Sequence, residues 1–166
     1  MNFLLSLQPI DRIRRNHGLE HATIHILSAR KRRTLAGYSD ANGFWLMGEV
    51  PTGEIESAVN EALGRMRKGE HDLAIHPNCG TMFVTAGAFA AVAGWLSFVG
   101  ARTWQDKLFR LPLTLAFATV AIIFAQPIGL TLQANITTDG VVRDLEVASV
   151  RKTSNAPATH RIETRG

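Results

Sequence analysis

The amino-acid sequence predicts an α+β fold in which a small polar region is joined to two transmembrane helices. Residues 81–101 contain no charged side chain, and residues 111–136 contain none either. As a helix, each stretch is long enough to cross the ~30 Å hydrocarbon layer of a bilayer. The segments on either side of them alternate between helical and strand-like hydrophobic periodicity. The predicted order is helix, β-hairpin and helix, then a transmembrane helical hairpin, then a short C-terminal β-hairpin.

The predicted organisation has three parts. Residues 1–80 form an N-terminal α+β region with a metal site, and residues 81–136 contain two transmembrane helices at about 81–101 and 111–132. Residues 137–166 form a C-terminal β-hairpin tail that packs on the N-terminal region. The opening MNFLLSL is too short for a signal-peptide core, so we expect it to lead into the first helix.

Two helices are predicted in the N-terminal region. The first runs from about Pro9 to Arg30, and the basic run RKRR that follows complements the helix C-terminus or meets anionic lipid headgroups. The second follows Pro51, with Thr52 as its cap, and ends before Gly69. Apolar residues at helical spacing mark its buried stripe. They are Ile55, Val59, Ala62, Leu63 and Met66.

Strands are predicted on both sides of the apolar region. The Asn42-Gly43 pair, which precedes the apolar run FWLM, indicates a β-hairpin. A short strand is predicted for DLAIH, at residues 72–76. After the second apolar stretch, RDLEVASVRKT and ATHRIETRG alternate in polarity and are joined by SNAP, which predicts a second hairpin.

The distribution of basic residues predicts the membrane topology. Two spans place both termini on one side, and all but three of the Lys and Arg residues lie outside the apolar region. The three are Arg102, Lys107 and Arg110, between the spans. The positive-inside rule therefore predicts an integral protein of the inner (cytoplasmic) membrane with both termini cytoplasmic. Membrane lipids are the expected partners, and the sequence leaves open whether the chain forms a homo-oligomer.

Composition argues against two other classes of protein. The net charge of +4 invites a nucleic-acid partner, but the basic residues form no patch interleaved with aromatic residues. They have membrane explanations instead, so no nucleic-acid binding is predicted. Neither apolar span contains an ionisable residue, which argues against an ion pathway or a transporter.

The segment RIRRNHGLEHATIHIL contains three of the six histidines, His17, His21 and His25, at intervals of four residues. In a helix this spacing stacks side chains along one face. HGLEH is H-x-x-E-H, the inverted form of the H-E-x-x-H zinc motif. Two imidazoles one turn apart can bind one zinc ion at about 2 Å, which lowers the pKa of its bound water to about 7. Glu20 can then accept a proton from that water as general base.

A second group of ligand-type residues lies just before the first span. HPNCGT contains His76 and Cys79, both ordinary zinc ligands, in a turn rich in Pro and Gly. We therefore predict that zinc, or another divalent metal, is bound by His17, His21, His76 and Cys79. If all four bind, the site is closed, which favours a structural role over a catalytic one.

Each site residue also has a structural interpretation. His17 and His21 could be core histidines that hydrogen-bond the backbone. Glu20 could pair with Arg14 or another arginine, and Cys79 could be a small buried apolar side chain.

The remaining histidines are not expected to bind metal. His25 faces away from Glu20 on the helical wheel, so we expect it to pack against the site or to support it by hydrogen bonding. His71 and His160 are predicted to lie at the surface.

The two motifs resemble those of a group of bacterial membrane proteins of unknown function, and the chain is similar to the YqhQ-like proteins, described as predicted metal-dependent enzymes. That group carries H-G-x-E-H and then H-P-x-C-G-T immediately before a membrane helix. The matching residues are His17, Gly18, Glu20, His21, His76, Pro77, Cys79, Gly80 and Thr81. The resemblance implies a metal-dependent enzyme, and its shared pattern does not include His25.

The predicted function is a membrane-anchored, zinc-dependent hydrolase of the inverted H-x-x-E-H type, with peptidases among the candidates. A site beside the bilayer predicts a membrane-associated substrate, either a peptide or a lipid-linked molecule. One alternative is a metal-stapled membrane scaffold or partner-binding module without catalysis. A second alternative is a histidine-based redox or metal-handling protein.

Overall fold

The computed structural model describes residues 3–166, which divide into two compact units. The first unit contains the residues up to His76 together with Ala134–Gly166. The second unit is Pro77–Gln133 and contains the apolar helices. The polar segments on both sides of the apolar region therefore fold together.

Over residues 3–76 and 134–166, the first unit contains two α-helices and four strands. In chain order they are α1 (Ile10–Arg30), β1 (Ala36–Asp40), β2 (Gly43–Met47), α2 (Thr52–Arg67), β3 (Glu146–Asn155) and β4 (Ala158–Arg165). Short 3-10 turns lie at Phe3–Ser6 and His71–Ala74. The mixed helix and sheet layout agrees with the predicted α+β class.

The four strands form one antiparallel sheet in the order β1-β2-β4-β3. Each predicted hairpin forms, and the two hairpins join where β2 pairs with β4, with Phe44 opposite Ile162. The last strand of the chain is thus central in the sheet, between β2 and β3. This pairing ties the C-terminal hairpin to the N-terminal region.

The core lies between the sheet and the two helices. Phe44 and Leu46 of β2 and Ile162 of β4 are buried against the helices. The predicted apolar stripe of α2 is confirmed, because all of its members are buried. Complete burial of such a side chain contributes about 1.5–3 kcal/mol. The packing of these side chains holds α1 in a fixed position on the sheet.

Two predicted local features are wrong. Pro51, rather than Thr52, occupies the cap of α2, and the Thr52 hydroxyl lies 3.1 Å from Nε2 of His160 instead of capping the helix. The DLAIH segment is a 3-10 turn rather than a strand. Its backbone bonds are local, since the Ile75 N–H donates to the Asp72 carbonyl, and no strand within residues 3–166 pairs with it.

The second unit contains two helices that are long and apolar enough to cross a membrane. They are α3 (Gly80–Ser97) and α4 (Trp104–Leu132), with mean hydropathies of 1.4 and 2.0 over their most apolar windows. Only 11% and 6% of those windows are buried. An apolar helix with so little covered surface is unlike the core helix of a soluble domain.

The two apolar helices pack against each other near their connecting loop. The hydroxyls of Ser97 and Thr114 lie 2.6 Å apart, and the Arg110 guanidinium donates to the carbonyl of Val99 at 2.7 Å. Thr103 and Asp106 form a capping box that begins α4. Polar groups at this end of the pair are therefore paired within the unit.

Candidate metal centre

The candidate centre is built on α1, which lies close to the segment that follows α4. A Cβ atom on Gly18 would lie 2.4 Å from the carbonyl oxygen of Asp139, so only glycine permits this approach. The Arg14 guanidinium donates to the carbonyls of Ile136 and Thr138 at 2.7 and 2.9 Å. These contacts place the carbonyl of residue 137 beside the histidine face of α1.

The first two histidines of α1 hold their ring protons in the same way. Nδ1 of His17 lies 2.9 Å from the Thr137 carbonyl, and Nδ1 of His21 lies 2.7 Å from the Ala74 carbonyl. A carbonyl oxygen only accepts hydrogen bonds, so Nδ1 of each ring carries a proton, and in the neutral form of the ring the lone pair is on Nε2. Metal-binding histidines are held in this way, by a hydrogen bond from the nitrogen that does not bind the ion.

The structure brings His76 to the same cluster. The ring centroids are 4.4 Å apart for His17 and His21, and 5.7 Å apart for His21 and His76. Two imidazoles bound to one tetrahedral zinc, with Zn–N distances of about 2.0–2.1 Å, have centroids roughly 5 Å apart. Each of these two pairs of rings therefore has a spacing close to that of two imidazoles on one ion.

The protonation of His76 also suits a ligand. Burial lowers its pKa to about 4, and the nearby His25 and His21 contribute to the decrease. Its ring is therefore uncharged at neutral pH, and a histidine must be neutral to bind a metal ion.

His25 lies next to His76 rather than apart from the cluster. The two ring centroids are 4.7 Å apart, and Nε2 of His25 donates to the Ile75 carbonyl at 2.8 Å. This hydrogen bond is the packing role expected for His25. The ring of His25 lies close to His76 because of the turn that precedes α3. The four-residue spacing of histidines within α1 does not predict this contact.

Cys79 precedes Gly80, the first residue of α3, and its thiol lies 3.6 Å from the Thr81 hydroxyl. His17 and His21 belong to the first unit, whereas Cys79 belongs to the second. Imidazole and thiolate are ligands that zinc and other borderline metals prefer.

Glu20 is buried, and β1 holds its carboxylate. The Ser39 hydroxyl donates to Oε2 at 2.5 Å, and a Cβ on Gly37 would lie 2.1 Å from Oε1. The carboxylate therefore occupies the space that a side chain at position 37 would fill. Arg14, one structural partner considered for Glu20, instead bonds backbone carbonyls and lies 3.8 Å from Asp139. Sequence spacing alone did not reveal the contact with Ser39.

The two other histidines lie apart from the cluster. His71 is exposed, as predicted, and its Nδ1 donates to the Gly140 carbonyl at 2.8 Å. The surface position predicted for His160 is wrong, because it lies on the central strand β4 and is completely buried. Burial lowers the pKa of His160, and the nearby Lys152 lowers it further.

These features define a class: a mixed helix and sheet protein with two membrane-length helices and a histidine-rich candidate metal centre. The chain belongs to the family of the domain of unknown function DUF6391, whose model matches residues 12–150. This range includes all but the first two residues of α1, the HPNCGT turn and both apolar helices. The predicted assignment to a bacterial family of unknown function is thus confirmed.

One relative is an uncharacterized protein of Picosynechococcus sp., a cyanobacterium. It is 34% identical over 149 residues, which cover 83% of this chain and 71% of that protein. No solved structure matches this chain. The similarity to the YqhQ-like proteins stays a prediction.

Proposed function

We propose that this protein is a membrane-anchored, zinc-dependent hydrolase in which Glu20 is the general base. The proposal rests on how His17 and His21 hold their ring protons. Both donate Nδ1–H to a backbone carbonyl, and both lie one helical turn or less from the buried Glu20. A histidine in a protein core needs only one such hydrogen bond. Two histidines with the same tautomer beside a buried carboxylate favour a metal site.

The proposed ligands are His17, His21, His76 and Cys79. Imidazole nitrogens and a thiolate suit zinc, whereas magnesium and calcium prefer oxygen ligands. A catalytic zinc keeps an open position, so it would polarise a substrate carbonyl and lower the pKa of water to about 7 only when three of these four residues bind it. The hydrogen bonds to the Thr137 and Ala74 carbonyls would orient two of the rings toward the ion.

Glu20 would accept and hold a proton during hydrolysis. The Ser39 hydroxyl fixes one oxygen of its carboxylate, and the backbone at Gly37 limits movement of the other. A general base works best when its orientation is fixed before the reaction. Burial at this position also restricts the access of bulk water.

The position of Cys79 in the chain supports a membrane-associated substrate, either a peptide or a lipid-linked molecule. The apolar helix α3 begins at Gly80, immediately after this proposed ligand. We further propose that both termini are cytoplasmic and that the helices cross the inner membrane, with lipids as partners. No nucleic-acid partner is proposed.

The alternative is a metal-stapled scaffold or partner-binding module without catalysis. It is favoured by the number of candidate ligands, because four protein ligands fill a tetrahedral zinc site and leave no position for water. In this alternative, Glu20 and Ser39 would serve only to join α1 to β1.

Replacement of Glu20 by Gln separates the two functions, because Gln keeps the shape but cannot accept the proton. For the hydrolase, we expect E20Q to retain its metal and thermal stability while hydrolysis of a quenched fluorescent peptide pool falls by about 10²–10⁴-fold. His71→Ala, at an exposed histidine in the same unit, is the matched control and should keep full activity. Loss of folding in E20Q, without any hydrolysis by the wild type, would support the scaffold.

A further inference from the structure

The first unit contains a cavity of about 850 Å³ near the start of α1. Two segments line it, one within residues 5–14 and the other within residues 134–143, just after α4. Cavities of this size accommodate a small molecule or part of a larger one.

The cavity lies where the second apolar helix ends. The candidate membrane span that contains α4 continues to Thr137, so Ala134–Ile136, which line the cavity, are among its last residues. The N-terminal segment exposes four apolar side chains, each over 36–62% of its surface. They are Leu4, Leu7, Ile10 and Ile13. Exposed apolar side chains beside a membrane span can lie against acyl chains. With α4 in a bilayer, the cavity is therefore at the level of the lipid headgroups.

The cavity wall carries charges of both signs. Arg14 and Arg143 line it together with Asp11 and Asp139, so the charges of these four side chains cancel. The Asp11 carboxylate is only 2% exposed, and the Arg143 guanidinium donates to its two oxygens at 2.9 and 3.0 Å. A wall with two charges of each sign favours neither a simple anion nor a simple cation, but it suits a ligand that carries both.

The carboxylate of Asp139 has an oxygen that a further donor can reach. Its Oδ1 accepts a hydrogen bond from the Val141 N–H at 2.9 Å. Its Oδ2 lies 3.8 Å from the Arg14 guanidinium and 3.6 Å from that of Arg143, and both distances are too long for a hydrogen bond. The Arg14 guanidinium instead donates to backbone carbonyls, so its role is structural.

Arg143 is held at the cavity by an unusual backbone conformation. Among residues 3–166 it is the only residue other than glycine with a positive φ, at 47°. A side chain in this left-handed region is strained, and such strain is found most often where a residue serves a binding site. The Arg143 side chain is also 41% exposed, so its guanidinium can contact a ligand while it remains paired with Asp11.

We propose that this cavity binds the headgroup of a zwitterionic phospholipid of the ethanolamine type. The phosphate would bind the Arg143 guanidinium, and the ammonium would donate to Oδ2 of Asp139. A primary ammonium is favoured over the quaternary ammonium of choline, because only the primary ammonium has N–H donors for that oxygen. The acyl chains would lie along the exposed apolar side chains of the N-terminal segment. This inference does not depend on the proposed hydrolysis.

Native mass spectrometry of the full-length chain in detergent micelles counts the lipids that each chain retains. The chain is titrated with phosphatidylethanolamine or phosphatidylglycerol of the same acyl composition, and with phosphoethanolamine, which is the headgroup alone. We expect one phosphatidylethanolamine per chain, bound about tenfold more tightly than phosphatidylglycerol, which is the effect of roughly one charge-assisted hydrogen bond. Phosphoethanolamine should not compete at the same concentration, because it has no acyl chains.

Two variants test the two charges separately. Asp139→Asn keeps the oxygen that accepts from Val141 but loses the charge that faces the ammonium, so the preference for phosphatidylethanolamine should disappear. Arg143→Asn should weaken the binding of both lipids about tenfold. Asparagine tolerates a positive φ, and Asp11 keeps its ion pair with Arg15 at 3.0 Å, so we expect this variant to fold. Arg151→Asn, at an exposed arginine of β3, is the matched control and should change neither affinity.

Three results would overturn the proposal. Equal retention of both lipids by the wild type and by every variant would show that lipids only coat the apolar helices. Binding of phosphoethanolamine as tight as that of the lipid would indicate a soluble phosphate ester as the ligand. Tighter binding of phosphatidylglycerol by the wild type would contradict the role of Asp139.

Discussion

At the scale of single residues, the candidate centre is defined by where protons and lone pairs lie. The Thr137 and Ala74 carbonyls fix the tautomers of His17 and His21, and burial keeps His76 neutral at pH 7. Backbone carbonyls cannot be removed by substitution, so these two acceptors remain present when a ligand side chain is changed. The carboxylate of Glu20, by contrast, accepts a hydrogen bond from the Ser39 side chain, and that contact can be tested.

Ser39→Ala removes the hydroxyl that donates to Glu20 at 2.5 Å. Because this carboxylate is buried, we expect a loss of about 1–3 kcal/mol in the free energy of unfolding, measured by urea denaturation. Ser149→Ala is the matched control, since Ser149 donates at 2.8 Å to the partly exposed Glu163. Water can replace that donor, so the control should change by no more than about 0.5 kcal/mol. Equal losses in both variants would show that Ser39 does not support Glu20.

At the scale of elements, the approach of α1 to the segment after α4 brings the Thr137 carbonyl to His17. Gly18 makes this approach possible, because any Cβ at this position would meet the Asp139 carbonyl. Glycine is otherwise unfavourable within a helix, so its position in α1 reflects packing.

Gly18→Ala should therefore destabilise the protein even though alanine is the better helix former. We expect overpacking to lower the free energy of unfolding by about 1–3 kcal/mol. Metal binding should also weaken, because the Thr137 carbonyl would move away from His17. Gly64→Ala, in α2 where a Cβ meets nothing within 4 Å, should instead stabilise by about 0.5–1 kcal/mol. Thermal unfolding of both variants provides the comparison, and a stabilised Gly18→Ala variant would contradict the packing account.

Local signals predicted the elements better than the contacts between them. The helical stripe of α2, the Asn42-Gly43 hairpin and the apolar spans are properties of neighbouring residues, and all three correspond to elements of the structure. His160 was misplaced because its burial depends on the pairing of β4 with β2, more than a hundred residues away in sequence. The contact of Glu20 with Ser39 depends in the same way on where the first hairpin lies relative to α1.

In the candidate site, too, contacts between neighbouring residues were easier to predict than contacts between distant segments. His17 and His21 were predicted as a pair because one helical turn joins them, and the structure places their rings 4.4 Å apart. The hydrogen-bond acceptors of these rings come from segments far away in sequence. No sequence periodicity indicates such acceptors, so the tautomers could not be predicted.

At the scale of the whole molecule, the proposed topology makes the polar unit cytoplasmic and the loop between α3 and α4 external. In a Cys79→Ser background, single cysteines at Arg102 and Arg165 can be labelled with a membrane-impermeant maleimide. We expect labelling of Arg102→Cys in intact spheroplasts and of Arg165→Cys only after lysis. The reverse pattern would place the polar unit outside, and labelling of both before lysis would argue against a membrane hairpin.

The central claim is that the histidine cluster binds zinc, and metal analysis of the purified full-length chain tests it most directly. We predict about one zinc ion per chain, lost in the His17→Ala, His21→Ala double variant and retained in His71→Ala, since three or four nitrogen and sulfur ligands define one zinc site. A wild-type chain that folds normally without any bound metal would contradict the account.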